Sequence, residues 1–182
     1  MGFDLESFRA NFRDGARGYL FYIKPSFPLA IGADANRAVY LVRSGSLPTT
    51  TLEEVLVPWQ GYDYKLAGKY TFEDWAVTFN CDAEADIHIW FMDWMRLIHD
   101  PTSNVHSSPS AYMVDQQVEL LGRDGEPVLK YKIVQAWPAT VSAMELAYDS
   151  TDVAQFEVTF KYMYHVVDKL SGKYAFVPSF AG

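Results

Sequence analysis

The stretch from Gln155 to Tyr164 alternates apolar and polar side chains with a period of two. Its apolar positions are Phe156, Val158, Phe160, Tyr162 and Tyr164. Such alternation predicts a β-strand with one face on a hydrophobic core. Because the strand is regular and lies near the end of the chain, we expect it to close a sheet or an assembly.

Shorter apolar or alternating runs predict further strands. They lie at residues 18–23, 39–42, 52–57, 62–66, 112–121 and 128–137. The Asp124-Gly125 pair between the last two runs predicts a β-hairpin. Residues 71–81 also alternate, with a slip at Asp74 that indicates a bulge or a strand beginning at Trp75. Residues 141–148 form a further strand or a turn.

One segment follows a helical period instead. Between Ala83 and His99, apolar residues recur at steps of three and four, as on one face of an amphipathic helix. Asp82 precedes it as a suitable N-cap, and Pro101 ends it. We therefore expect one flanking α-helix at about residues 82–99, besides a short helix or arm at residues 1–17.

The composition favours strands over helices. Aromatic residues make up 16% of the 182 residues, and aromatic side chains fit a pleated sheet well. The length suits one domain that is large enough to bury a core without disulfides or metal. We therefore predict a mainly β protein with a single domain at residues 1–182, including an N-terminal arm or helix (1–17) and a C-terminal extension (166–182).

Charge and cysteine content narrow the functional classes. The formal net charge is −8, which argues against a surface that grips nucleic-acid phosphates, because such binding needs clustered Lys and Arg. Cys81 is the single cysteine, so it cannot form an intrachain disulfide, and we expect it to be a small buried hydrophobe. No apolar run reaches the roughly 20 residues of a membrane span. We expect a soluble protein made in the cytoplasm, without membrane anchoring.

No group of residues has the spacing of a catalytic or metal site. His88 and His99 share a helix face but lie roughly 16 Å apart along it, too far for one metal ion. Asp82, Glu84 and Asp86 are the carboxylates that the positive end of a helix attracts. Phosphate-loop and nucleophile motifs are absent. We expect no catalytic residue, cofactor or metal, and strands with apolar edges favour pairing with neighbours instead.

Two blocks of residues stand out by their motifs. The first, GKYTFEDWAVTF at residues 68–79, resembles the pattern G-x-x-T-F-x-D-W-x-V-T-V of the tail tube proteins of contractile-tailed bacteriophages. Its matching residues are Gly68, Thr71, Phe72, Asp74, Trp75 and Val77. The second block is similar to W-P-x-x-V/G-x-L-x-x-D-S followed by F-x-V-T, and its matching residues are Trp137, Pro138, Asp149, Ser150, Phe156 and Val158. The resemblance spans about residues 18–165.

The resemblance implies a β-barrel-like sandwich of antiparallel strands flanked by one α-helix. It also implies six copies that close into a ring, with rings stacking into a hollow tube inside a contractile sheath. The implied partners are further copies of the chain, the tail sheath protein, the baseplate or tube initiator, and the tape measure protein and phage DNA in the lumen. The implied location is the virion tail, after assembly in the host cytoplasm.

The resemblance also suggests residue roles. We expect Trp75 and Phe72 to pack in the core or a bulge, and Asp74 to bond a neighbouring backbone or cap a turn. Trp137-Pro138 is expected to fix a strand exit, because proline cannot continue a ladder. Asp149-Ser150 is expected to form a turn before the last strand. Our candidates for the lumen are Glu53, Glu54, Glu119 and Glu157.

Three alternatives remain open from the sequence. The first is a tube initiator or baseplate ring with the same fold. The second is the inner tube of a type VI secretion or contractile injection system, which carries protein effectors. The third, from another class, is a small-ligand binding barrel or an enzyme, for which a monomer with a polar cavity would be evidence.

Overall fold

Antiparallel strands carry most of the fold. The computed structural model describes residues 4–12, 15–149 and 151–169. Within them the strands are β1 (Phe21–Lys24), β2 (Val42–Gly45), β3 (Thr50–Trp59), β4 (Tyr62–Phe72), β5 (Trp75–Asn80), β6 (His99–Asp100), β7 (Val105–His106), β8 (Val114–Leu121), β9 (Pro127–Val141), β10 (Gln155–Lys161) and β11 (Tyr164–Lys169). The helices are α1 (Leu5–Phe12), α2 (Ala35–Leu41), α3 (Asp86–Ile98) and α4 (Pro109–Tyr112), with a 3-10 turn at Leu29–Ile31.

The long strand β9 joins two four-stranded sheets. Its first half pairs with β8 and β11, and β8 also pairs with β1. Its second half pairs with β10, which continues to β5 and β2. We call β1-β8-β9-β11 the first sheet and β9-β10-β5-β2 the second sheet. The predicted mainly β, antiparallel fold is confirmed, although the sheets stay open in the subunit and do not close into a barrel.

The change of partner along β9 has a local cause. Gln135 has a left-handed backbone (φ 55°), and the register between β8 and β9 shifts beside it, between Val114 and Gln116. The Gln135 N–H donates to Asp115 Oδ1 at 3.0 Å. Such a bulge bends a strand and increases its twist, which lets β9 belong to both sheets.

An aromatic cluster fills the space between α3 and the second sheet. Phe91 is fully buried, and its ring lies 5.0 Å from that of Phe79 and 5.1 Å from that of Phe27. Trp94 is also fully buried, and its Nε1–H donates to the Tyr112 carbonyl oxygen at 2.9 Å. The indole therefore keeps its hydrogen bond inside an apolar core.

The predicted helix is confirmed, but it begins three residues later than the Asp82 cap suggests. Ala85 takes a left-handed conformation (φ 57°), and α3 starts at Asp86. Asp82 still stabilises the start of α3, because its Oδ1 accepts a hydrogen bond from the Ile87 N–H in the first turn at 3.2 Å. Arg37 ties this turn to α2 through ion pairs to Asp82 at 2.6 Å and Asp86 at 2.7 Å.

Two strand boundaries predicted from the sequence are wrong. Residues 39–41 belong to α2, because Asp34 caps this helix by accepting from the Asn36 and Arg37 N–H groups. The strand predicted at residues 62–66 continues to Phe72 as β4. Gly68 lies at a register shift in that strand, where a Cβ would be 2.9 Å from the Glu53 carbonyl oxygen. Glycine therefore permits the close approach of β3 to β4.

The alternating stretch near the end of the sequence is an interior strand and does not close a sheet. It ends at Lys161 as β10, which has β9 on one side and β5 on the other. Phe156, Val158 and Phe160 are buried as predicted. Tyr164 instead opens β11 and is 47% exposed.

The role predicted for Trp137-Pro138 is also wrong, because both residues lie inside β9. Phe160 pairs with Pro138 whereas Thr159 pairs with Thr140, so Ala139 is an extra residue in a bulge. A bulge is a place where a sheet tolerates proline. After Val141 the chain leaves the sheet, and residues 148–149 form a turn. Ser150, predicted to share that turn, lies outside the described residues.

Candidate assembly surfaces

The hairpin of β3 and β4 forms its own two-stranded sheet and stands apart from the core. Every β3 side chain is exposed, and only Gly68 and Phe72 of β4 are partly covered. The turn at its tip is Gln60-Gly61, with φ of 46° and 86°. This pair of positive φ angles is the arrangement that matches the twist of a two-residue hairpin.

One face of the hairpin is entirely apolar beyond the bulge. The register pairs Val55 with Leu66, Val57 with Tyr64, and Trp59 with Tyr62, and directly opposed residues share a face. These six side chains are 42–82% exposed. We call them the apolar hairpin face. Contiguous exposed apolar surface is typical of a site that contacts another molecule, so this face is a candidate contact.

The other face of the hairpin is mixed. It pairs Glu54 with Ala67, Leu56 with Lys65, and Pro58 with Asp63. Lys65 Nζ lies 3.3 Å from Glu54 Oε2, with both side chains more than half exposed. The two faces therefore differ in polarity, and the hairpin is amphipathic.

The root of the hairpin is fixed to the sheets. The Phe72 ring lies 5.3 Å from that of His165 and 6.0 Å from that of Tyr162. Burial lowers the pKa of His165, so the neutral ring is favoured in this contact. Asp74, which the sequence predicts to bond a backbone group or cap a turn, accepts from Lys161 Nζ at 3.1 Å through its Oδ1. The tip can therefore project while the base is held.

The first sheet has two open edges. Among the described residues, no strand lies on the outer side of β1 or of β11. Each successive pair from β1 through β8 and β9 to β11 is antiparallel, so β1 and β11 run in opposite directions. Unpaired edges offer free N–H and C=O groups to another chain.

The outer face of the first sheet is polar. Ile23, Val118 and Ile133 point to the core, so alternation places their neighbours on the opposite face. Its members are Tyr22, Lys24, Asp115, Gln117, Glu119, Lys130, Lys132, Val134, Tyr164, Val166 and Asp168, of which most are polar or charged. We call this set the polar sheet face. It carries three lysines and three carboxylates, which cancel in charge.

Two ion pairs organise the polar sheet face. Lys132 Nζ lies 2.9 Å from Asp115 Oδ2, and Lys130 Nζ lies 3.7 Å from Glu119 Oε1. The Gln117 amide also donates to Glu119. The hydrogen bonds from Lys132 and from the Gln135 N–H lower the pKa of Asp115, and the Asp115 carboxylate raises the pKa of Lys132.

A pH dependence follows from the lowered pKa of Asp115. Its contribution to stability is present above the ordinary carboxyl value of 3.8 and is lost as the pH falls through the lower folded-state value. At neutral pH, Asp115→Asn is therefore expected to unfold more readily than the wild type. Urea titrations at a series of pH values should show this difference shrinking below about pH 4. A difference that stays constant to pH 2 would contradict the ion-pair assignment.

The structure brings the first sequence block together. Gly68, Thr71 and Phe72 lie at the hairpin root, followed by Asp74 and the start of β5. Trp75 and Val77 are buried, and the Trp75 Nε1–H donates to the Ser46 carbonyl oxygen at 2.7 Å. Thr71 donates to Glu53 at 3.3 Å. Asp149, from the second block, lies in an exposed turn.

The four carboxylates proposed for the lumen do not share a surface. Glu119 lies on the polar sheet face, whereas Glu53 and Glu54 lie on β3 and Glu157 on β10. The sequence analysis missed the apolar hairpin face. The signal was available as the mirror arrangement of apolar residues about Gln60-Gly61, but it was hidden because Leu56 continues the apolar run.

Among the described residues, the side chains that could act in catalysis or bind a metal do not cluster at one place. The ring centroids of His99 and His106 lie 3.9 Å apart with the planes tilted by 33°, and the His88 ring lies 5.1 Å from that of Phe156. In the described ranges, no three His, Cys, Asp or Glu residues are placed to hold a metal ion. Cys81 is partly buried, less than predicted, and burial raises the pKa of its thiol. None of the helices described is long and apolar enough to cross a membrane.

The family model and the sequence relatives that match the chain all describe tail tube proteins. The family model described as "Phage tail tube protein" matches residues 26–168. The tail tube protein gp19 of Enterobacteria phage T4 is 29% identical over 149 residues, which cover 80% of this chain and 88% of gp19. The tail tube protein of Serratia phage KSP90 is 29% identical over 157 residues, covering 84% and 89% of the two chains.

Solved structures share the fold at low sequence identity. A chain of the six-fold symmetrised baseplate of the anti-feeding prophage superimposes with a TM-score of 0.63 at 15% identity, covering 86% of this chain and 97% of its own. A chain of the sheath–tube complex of an extracellular contractile injection system, PVC, in its extended state gives 0.58 at 12% identity, covering 93% and 100%.

Proposed function

The chain belongs to the phage tail tube protein family, and we propose that its copies join edge to edge into hexameric rings that stack as the inner tube of a contractile tail. The family is one of structural tube proteins, so the role of the chain is structural and not enzymatic. The observation that carries the proposed ring is the pair of open, oppositely directed edges of the first sheet, β1 and β11.

The edges fit head-to-tail closure. Because β1 and β11 run in opposite directions and bound the same sheet, β11 of one copy can pair with β1 of the next in the antiparallel sense. A repeated heterologous contact of this kind generates a ring when the rotation closes. Six copies of a four-stranded sheet would give a barrel of about 24 strands, with a backbone diameter on the order of 50 Å.

The apolar hairpin face supplies a second contact between copies. It is exposed in the subunit, and its rigid root at Phe72 projects it away from the core. We propose that it packs on another copy of the chain. Burying apolar surface stabilises association by roughly 25 cal/mol per Å², so a hairpin repeated in every subunit would hold the tube together.

The location and the partners that we propose for the protein are based on its family. The protein is a component of the virion tail, and we propose that it is assembled in the host cytoplasm as one tube domain spanning residues 1–182. The proposed partners are the tail sheath protein, the baseplate or tube initiator, and the tape measure protein and phage DNA in the lumen. The injection-system tube remains a second candidate because of the fold similarity, but the curated sequence relatives are phage tail tube proteins and favour the phage role.

Engineered cysteines test the edge pairing. In a Cys81→Ser background, the double variant Tyr22→Cys/Val166→Cys places one thiol on each open edge. Both residues lie on the polar sheet face, so facing copies bring their thiols to the same side of the joined sheet. We expect mild oxidation to give a ladder of cross-linked species up to a hexamer on a denaturing gel.

The single variants are the matched controls. Tyr22→Cys alone and Val166→Cys alone should stay monomeric on the denaturing gel, whereas an equimolar mixture should give dimers. Disulfide-linked dimers from either single variant would indicate pairing of identical edges and contradict head-to-tail closure. Because the pairing register is set by the assembly, Lys24→Cys/Val166→Cys and Tyr22→Cys/Asp168→Cys complete the scan, and no ladder from any of the three pairs would reject the proposal.

A further inference from the structure

We propose that the polar sheet face lines the bore and that Asp115 and Glu119 neutralise Lys132 and Lys130 there, so that DNA passes without binding. This inference rests on the proposed tube. It assigns a partner and a role to two ion pairs that lie on the face of the sheet away from the core.

The position of the face follows from the shape of the subunit. The first sheet has the core on one side, where Ile23, Val118 and Ile133 are buried, and behind that core lie α3 and the second sheet. When first sheets join through β1 and β11, this bulk fits on the outside of the ring, where the circumference is larger. The opposite face, which has no covering layer in the described residues, then points inward.

The charge pattern of the face differs from that of the whole chain. The chain has a net charge of −8, whereas the three lysines and three carboxylates of the polar sheet face cancel. Lysines repeated around a ring and along a stack would otherwise bind phosphates, because each neutralised phosphate releases counterions. A carboxylate held against Lys130 and another held against Lys132 reduce that gain.

The geometry supports neutralisation at both lysines. Asp115 accepts from Lys132 at 2.9 Å, and its lowered pKa keeps it ionised well into the acid range. Glu119 is only 12% exposed and sits between Lys130 and the Gln117 amide. Both pairs lie on adjacent strands β8 and β9, where cross-strand partners of opposite charge attract.

Rods of the double variant Asp115→Asn/Glu119→Gln test the inference. The probe is a short fluorescent DNA duplex, added during assembly, and the readouts are the fraction that sediments with the rods across a salt series and its protection from nuclease. Wild-type rods should retain little duplex. The double variant should retain at least about tenfold more at low salt, protected from nuclease and released as salt rises.

The matched control removes the same charge elsewhere. Glu54→Gln/Asp93→Asn frees Lys65 on the hairpin and Arg96 on α3 from their ion pairs, and its rods should behave as wild type. Equal retention by both double variants would show an effect of net charge alone and overturn the inference, as would no gain in Asp115→Asn/Glu119→Gln.

The experiment distinguishes a failure of the proposed tube from a failure of the proposed bore lining. If the wild type forms no rods, the proposed tube fails. If it forms rods but the freed lysines bind no DNA, the tube stands and the lining fails. Should the double variant not assemble, Asp115→Asn alone, at a 42% exposed side chain, replaces it, and absence of salt-sensitive retention in those rods overturns the inference.

Discussion

Replacing Phe91 with alanine is expected to lower the free energy of unfolding of the subunit by about 3–5 kcal/mol. Phe91 is fully buried and touches rings from α3, the second sheet and the segment before α2, including Phe27, Phe79 and Phe156. Its removal leaves a cavity that these rings cannot fill without leaving their own contacts. Since domains are stable by only about 5–15 kcal/mol, the loss is a large share of the total.

Urea titration of the dissociated subunit measures this loss. Met92→Ala is the matched control, because Met92 is the next residue of α3 but is 41% exposed, and we expect it to cost less than about 1 kcal/mol. Similar losses for the two variants would contradict the described orientation of α3. A loss below about 1 kcal/mol for Phe91→Ala would contradict the aromatic core.

Replacing Val57 with lysine is expected to prevent tube assembly while leaving the subunit folded. Val57 lies at the centre of the apolar hairpin face, opposite Tyr64, and is 42% exposed in the subunit. A charge there remains hydrated in the free subunit but must be desolvated when the face packs on another copy. We expect the concentration needed for assembly, measured by sedimentation, to rise at least about 100-fold, equivalent to about 2.8 kcal/mol per contact.

Leu56→Lys is the control for Val57→Lys. Leu56 is adjacent in β3 and 49% exposed, but it lies on the mixed face opposite Lys65. Circular dichroism should show both variants folded, and Leu56→Lys should assemble within about threefold of the wild-type concentration, less than 1 kcal/mol. Equal loss of assembly in the two variants would contradict the proposal that the apolar hairpin face, and not the mixed face, packs on another copy.

Local patterns in the sequence predicted the interior elements well. The alternation around Phe156 and Val158 and the helical period around Phe91 and Trp94 identify residues that the structure buries. These patterns succeed because one subunit supplies the whole environment of such residues. The hairpin at Asp124-Gly125 could be predicted equally well from the sequence, because it depends on the backbone conformation at a single turn.

Patterns were less informative where an element depends on distant partners. The stretch at β10 looked like a closing strand, yet its position between β9 and β5 depends on pairings with residues far away in the sequence. The bulge that accepts Pro138 depends in the same way on the register with Phe160. Alternation reports that one face is buried, but it does not report which strand lies on either side.

The candidate surfaces illustrate the same limit. The tail tube resemblance depended on residues such as Asp74 and Trp75, which fix the hairpin root and the core. The surfaces proposed for assembly are instead the apolar hairpin face, the open edges and the polar sheet face. Most residues of these surfaces are exposed or only partly buried in the subunit, so a pattern that reports burial does not identify them.

Electron microscopy of the purified wild-type chain over a range of concentrations tests the central claim most directly. The account predicts six-fold rings that stack into hollow rods, with the first sheets forming one continuous barrel around the bore. Dispersed monomers under all conditions, or rings in which β1 and β11 of neighbouring copies do not pair, would contradict it.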